Sequence, residues 1–158
     1  ESKEVIRALS DEKIETIKNP DILNFSDQKR STGTEYSYKV RAYKEYNGEN
    51  YYGAFSDIRK MTTKPGKVKK VKLSTKSSSV TLSWSVVKGA TGYQVFRLNS
   101  KTGKYEKIAT VQGGTNVKYR DIKRKKGTTE TYKVRAYKRY DESIYWGTSS
   151  PVAKIKVK

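Results

Sequence analysis

The 158-residue chain contains no cysteine and no histidine. Those two absences remove disulfide bonding, the thiol nucleophile, the usual general base near neutral pH and the commonest transition-metal ligands. No apolar run approaches the roughly 18 residues of a membrane-spanning helix, and the start has no signal-like pattern. Any export signal or anchor is therefore expected to lie outside this stretch. Acidic residues are scarce in one part only: residues 1–63 hold 11 Lys/Arg and 11 Asp/Glu, whereas residues 64–158 hold 24 against 5. The formal charge of +19 thus belongs entirely to the second part. A field so one-sided attracts anionic polymers in a salt-dependent way.

What the chain does have is internal repetition. YKVRAYK occurs at Tyr38–Lys44 and again, 94 residues later, at Tyr132–Lys138. At the same offset Phe25–Arg30 falls on Tyr119–Arg124, Gly33-Thr34 on Gly127-Thr128, Tyr51-Tyr52-Gly53 on Tyr145-Trp146-Gly147, and Ser56 on Ser150. Before residue 25 the offset slips to 90, where Glu4–Arg7 fits Gln94–Arg97. A period of this length is that of a small domain rather than of a solenoid repeat. The expected division is 1–63 and 64–158.

Within the heptapeptide Tyr132, Val134 and Ala136 alternate with Lys133, Arg135 and Tyr137, the period of a half-buried strand. The same reading predicts strands at Val68–Ser74, Ser79–Ser85, Gly92–Leu98, Lys104–Val111, Thr115–Arg120, Thr129–Tyr140 and about Ser150–Val157. Turn chemistry separates them at Lys88-Gly89, Thr102-Gly103 and Gly113-Gly114. Seven strands in roughly 95 residues predict an all-β sandwich. Glu12–Lys18 alone fits either helix or strand.

Trp84, Gly92-Tyr93-Gln94-Val95, and Gly127-Thr128 followed by Tyr132, Val134 and Ala136 resemble a fibronectin type III domain. More narrowly, VKGATGYQVFR, GTTETYKVRAYK and YWGTSS resemble the tandem type III repeats of secreted and surface proteins of Gram-positive bacteria. The resemblance implies tandem immunoglobulin-like β-sandwiches, the second complete and the first covered from its third strand onward. It says little about activity, since such modules serve as spacers, adhesion units and enzyme appendages alike. It also implies an extracellular, secreted or surface-attached setting, with further domains on the same polypeptide. The short, proline-containing stretch Thr62–Lys67 then predicts two modules end to end with restricted bending, the build of a stalk.

Two departures from the family pattern stand out. The tyrosine that packs the corner before the sixth strand is present as Tyr36 in the first copy, but Glu130 takes its place in the second. Either Glu130 points into water or a lysine such as Lys125 or Lys126 pairs with it. The first copy also has no counterpart of Val68–Ser85, so its first two strands are missing. They are expected to precede Glu1 or to come from another chain by swapping or β-augmentation.

Two candidate surfaces follow. Lys123, Arg124, Lys125 and Lys126 form a basic loop, and Lys133, Arg135, Lys154 and Lys156 an expected outward stripe; Lys67, Lys69, Lys70 and Lys72 line a strand edge. Their partner would be an anionic wall glycopolymer, a glycan or a host surface protein. Nucleic acid is disfavoured because no RRM, KH or zinc-finger pattern is present. The bland reading is a solvated, edge-protecting surface. The second candidate is aromatic: Tyr137, Tyr140, Tyr145 and Trp146, matched by Tyr43, Tyr46, Tyr51 and Tyr52, cluster near a hairpin and could stack on sugars. That would suit an accessory module of a secreted hydrolase, although cross-strand rings also stabilise hairpins by themselves. No cofactor is expected and no catalytic residue is named, since Asp141-Glu142 reads as a loop tip and Gly113-Gly114-Thr115 lacks the ending of a phosphate loop.

Overall fold

The computed structural model of the protein describes residues 2–158, and the regular structure among them is entirely β. No helix is long and apolar enough to cross a membrane. The chain divides into two compact units: residues up to Ser31 together with Glu35–Thr62, and Thr32–Thr34 together with Thr63–Lys158.

The second unit is a sandwich. One sheet runs in the order β10 (Lys118–Asp121), β7 (Ser79–Trp84), β6 (Val71–Lys76). The other runs β12 (Ser143–Trp146), β11 (Thr129–Tyr140), β8 (Gly92–Leu98), β9 (Tyr105–Gln112), with β13 (Ala153–Lys156) on the remaining half of β11. The alternation read in the heptapeptide holds: Tyr132, Val134 and Ala136 are fully buried. They meet Tyr93 and Val95 of β8 and Val80, Leu82 and Trp84 of β7 in one core. Each such side chain contributes about 1.5–3 kcal/mol on burial. Trp84 and Tyr93 pack edge to face at 5.3 Å, and the Tyr93 hydroxyl donates to the Gly114 carbonyl at 2.8 Å while accepting from the Val87 amide.

The first strand differs from expectation by position: Val68 is buried in the core but precedes the ladder, which starts at Val71. The last expected strand, about Ser150–Val157, is shorter than expected: its ladder runs only over Ala153–Lys156, and Ser150 stands outside it. Its hydroxyl accepts from the Val134 amide at 3.0 Å and donates to the Pro151 carbonyl at 2.8 Å, taking the place of a strand partner. Ser56 does the same with Val40 and Asp57 in the first unit. Proline is therefore not the cause of the break, since Asp57 stands where the second copy has Pro151.

The first unit is one sheet, ordered β2 (Glu12–Ile17), β1 (Ser2–Arg7), β3 (Glu35–Tyr46), β4 (Glu49–Tyr52), with β5 (Arg59–Thr62) also on β3. The ambiguous Glu12–Lys18 is thus strand. These five match β8, β9, β11, β12 and β13, and nothing matches β6 and β7. Residues 24–30, which repeat the sequence around β10, form no ladder. β10 pairs only with β7, so without that partner the same segment has no strand to join. The uncovered inner face shows it: Val40 is 40% exposed where its counterpart Val134 is fully buried.

Candidate functional site

Residues of β11 opposite those of the core face outward. In register, Arg135 lies across from Gln94 and Lys133 from Phe96. The Arg135 guanidinium donates through Nε and Nη2 to Gln94 Oε1 at 3.2 and 2.9 Å. It stands 4.2 Å from the Trp146 ring centre and 5.1 Å from that of Phe96. Lys133 Nζ is 4.2 Å from the Tyr105 ring centre. Phe96, Tyr105, Lys133, Arg135 and Ser149 line a shallow hollow of about 210 Å³. Two cations are thus held over rings, contacts worth about 0.5–1 kcal/mol each at exposed sites, and Arg135 is satisfied by a neutral amide rather than a carboxylate. Lys154 and Lys156 pair with Thr131 and Thr129 and so present to the same face.

The first unit carries the matching arrangement with one decisive change. Arg41 lies 3.7 Å over Tyr52, but its partner is Glu4, at 2.9 Å from Nη2. Lys13 adds a second ion pair at 3.2 Å. Burial of Glu4 works against its charge, yet hydrogen bonds from Arg41 and Lys13 outweigh that and hold the carboxyl below its ordinary value. Replacing that glutamate by Gln94 converts a neutralised face into a cationic one. The exchange was visible in the aligned repeats as Glu4 against Gln94, but only the register shows that each faces the arginine.

The basic loop is less uniform than its sequence. Lys123, Lys125 and Lys126 are exposed, whereas Arg124 turns back, donating to the Ile122 carbonyl at 3.1 Å with Nε 3.5 Å from Asp121 Oδ1. Nor do the four hairpin rings form one platform. Tyr137 and Trp146 share the outward face at 5.6 Å, with Tyr137 buried. Tyr140 and Tyr145 fall on the opposite face, because neighbouring strand residues alternate. Trp146 is already engaged by Arg135.

A polar cluster beside the core escaped the sequence reading. Asp121 accepts from the Tyr132 hydroxyl at 2.9 Å and from Arg97 Nη1 at 2.8 Å. Burial, reinforced by the hydrogen bond to Asp121, pushes the Tyr132 hydroxyl far above its ordinary pKa. Burial alone would lower the Arg97 value, but its bond to Asp121 wins and raises it. The cluster recurs in the first unit as Asp27 with Tyr38 at 2.9 Å, Arg7 at 3.4 Å and Arg30 at 3.1 Å. Only the repeat offset could have signalled it. With the carboxylate committed to guanidinium and phenol donors, it pins a segment rather than performing chemistry. Glu130 joins its edge: it does not point into water or pair with Lys125 or Lys126, but lies 3.9 Å from Arg97 Nε. Among the described residues no group of acidic side chains is arranged to hold a metal.

The sequence matches no protein-family model and no curated relative. Solved structures do match. A two-domain fibronectin type III segment of chicken tenascin superposes with a TM-score of 0.56 at 16% identity, over 99% of this chain and 83% of that one. The chicken interferon gamma receptor alpha chain gives 0.51 at 16% identity, over 99% and 84%. The FN1–FN3 domains of chicken CNTN1 give 0.50 at 17%, over 99% and 53%. At these identities the likeness shows the fold: tandem fibronectin type III β-sandwiches, the N-terminal one without its first two strands.

Proposed function

We propose that this chain is a non-catalytic spacer and adhesion segment of an extracellular, secreted or surface-attached bacterial protein, and that its second unit contacts anionic wall polymer or glycan. The observation that carries the reading is the exchange of Glu4 for Gln94 on equivalent faces. It leaves Arg135 facing a neutral amide where Arg41 faces a carboxylate, in a unit of 24 basic and 5 acidic residues plus Thr32–Thr34. Charges presented in this way raise association rates with polyanions and weaken steeply with salt. The composition supports the absence of catalysis, there being no histidine or cysteine.

The sugar-stacking alternative has less support, because the four rings divide between two faces and Trp146 is covered by a guanidinium. The deciding experiment measures binding of the chain to purified wall glycopolymer and to neutral glycans, each at low and physiological salt. Binding to the charged polymer alone, falling as salt rises, is the expected result. Binding to neutral glycan that is lost on Tyr145→Ala and Trp146→Ala would favour the accessory-module reading instead.

A further inference from the structure

The other sheet of the second unit has an outer face too, and its rows follow from the register. Lys118, Ser83 and Lys72 stand side by side across β10, β7 and β6; Arg120, Thr81 and Ser74 form the next row, and Ser79 with Lys76 the third. Lys72, Lys76, Lys118 and Arg120 are all exposed. Among the described residues none of the four lies within ion-pair distance of a carboxylate, in contrast to Arg97 and Arg124 of the same unit. Between them lie only hydroxyl side chains. Arg120 is held in place by Nε donating to Ser79 Oγ at 3.1 Å, and Ser79 Oγ donates in turn to the Lys76 carbonyl at 2.5 Å. Lys76, Ser79, Thr81, Lys118, Tyr119 and Arg120 line an open groove of about 530 Å³.

We infer that this face is a second, stronger contact for polyanions, and that its partner is a glycopolymer bearing sulfate or phosphate groups. The inference rests on the proposal that the second unit binds anionic polymer, and locates that binding on residues outside the stripe and loop named above. Three features select the partner. The site is open along its length, which suits an extended chain rather than an enclosed small molecule. Cations about 7 Å apart along β10 and about 10 Å apart across the sheet can meet successive charged groups, while serine and threonine hydroxyls donate to oxyanion oxygens between them. The one ring among the groove-lining residues, Tyr119, is partly buried against the core, a poor platform for stacked bases, which disfavours single-stranded nucleic acid. Among the described residues the first unit shows no counterpart of β6 and β7, so this face occurs once among them.

The test titrates the full chain with a sulfated glycan, poly(glycerol phosphate), hyaluronate and duplex DNA over a range of salt. The variants are Lys118→Ser/Arg120→Ser on β10, Lys72→Ser/Lys76→Ser on β6, and Lys154→Ser/Lys156→Ser on the opposite sheet. Tryptophan fluorescence verifies folding, since Trp84 and Trp146 both lie in the second unit. Each of the first two pairs is expected to weaken binding to the sulfate or phosphate polymer by about twenty-five-fold, at roughly fivefold per cation. Each also lowers the slope against log salt by about two. The third pair has the smaller effect. Whichever of the sulfated and phosphate polymers binds more tightly identifies the source of the oxyanion. If the wild type binds but only the third pair, or Lys133→Ser/Arg135→Ser, weakens it, this inference is overturned and the proposed function stands. Preference for DNA or hyaluronate overturns the choice of partner, and no binding to any polymer overturns both readings.

Discussion

Single residues decide more here than the repetition of the sequence suggests. Asp121 is nearly buried between the partly buried Arg97 and Arg124, so Asp121→Asn leaves Arg97 with only the more distant Glu130 and is expected to cost about 3 kcal/mol. Asp27→Asn is expected to cost less, since Arg7 stands off at 3.4 Å and the side chain is more exposed. Chemical denaturation of the two variants, followed by tryptophan and by tyrosine signals, compares them. Tyr38 offers a pH test. Burial first, and the hydrogen bond to Asp27 second, push its pKa up to about 12. Because the folded value is raised, the stabilisation is fully present below the ordinary value of 10 and is lost as pH rises through about 12. Phenolate absorbance should therefore show Tyr38 titrating near 12 rather than near 10, with the first unit loosening in that window. Glu4 has the opposite sign: its folded value is lowered, so its contribution holds above 4.5 and fades as pH falls below it.

At the scale of elements, the turn between β6 and β7 is costly. Ser77 and Ser78 both adopt positive φ, 47° and 60°, the conformation for which Asn-Gly is preferred in two-residue hairpins. The Asn47-Gly48 turn of the first unit already uses that solution, at φ 51° and 80°. Ser77→Asn/Ser78→Gly is expected to stabilise the second unit by about 1 kcal/mol, seen as a melting temperature about 4–8 °C higher. The strand pattern was legible wherever alternation met a core, as in Tyr132, Val134 and Ala136. It was not legible at Ser150, because a hydroxyl replacing a ladder partner leaves no mark on hydropathy. Ser150→Ala should leave the Val134 amide buried without a partner and cost about 1–3 kcal/mol. The stripe from Lys133 to Lys156 could be placed from period two alone. The rows on β10, β7 and β6 could not, because two of those strands pair through register that only coordinates supply.

For the whole molecule, the contrast between the units is one of completeness. The second closes its core between two sheets, while the first leaves Val40 and Met61 40% and 56% exposed. Amide exchange should accordingly report two stabilities in one chain, with β1–β5 opening more readily than β6–β13. The repeat offset made the tandem organisation and the missing strands legible. It also aligned Asp27, Tyr38 and Arg7 with Asp121, Tyr132 and Arg97, but that these side chains bond and hold residues 24–30 is visible only in the fold, because they lie on segments distant in sequence.

The serine break in the last strand also bears on a segment that carries tension. Between Ala153 and Lys156, β13 is held to β11 by four residue pairs; beyond it, toward β12, the chain is tied again at Ser150. A pull on the C-terminal side loads the backbone bonds of Val157 to Gly127 and Thr128 first, then those four pairs, and meets the serine tie last. The four residues of β13 would release about 13 Å of slack at roughly 3.3 Å per residue, drawing Val157 out of the core and Ala153 and Ile155 away from it. Such a strand acts as a short shock absorber in series with a stiff module, and a single-molecule pulling trace would show it as a small, reversible extension ahead of the main unfolding event.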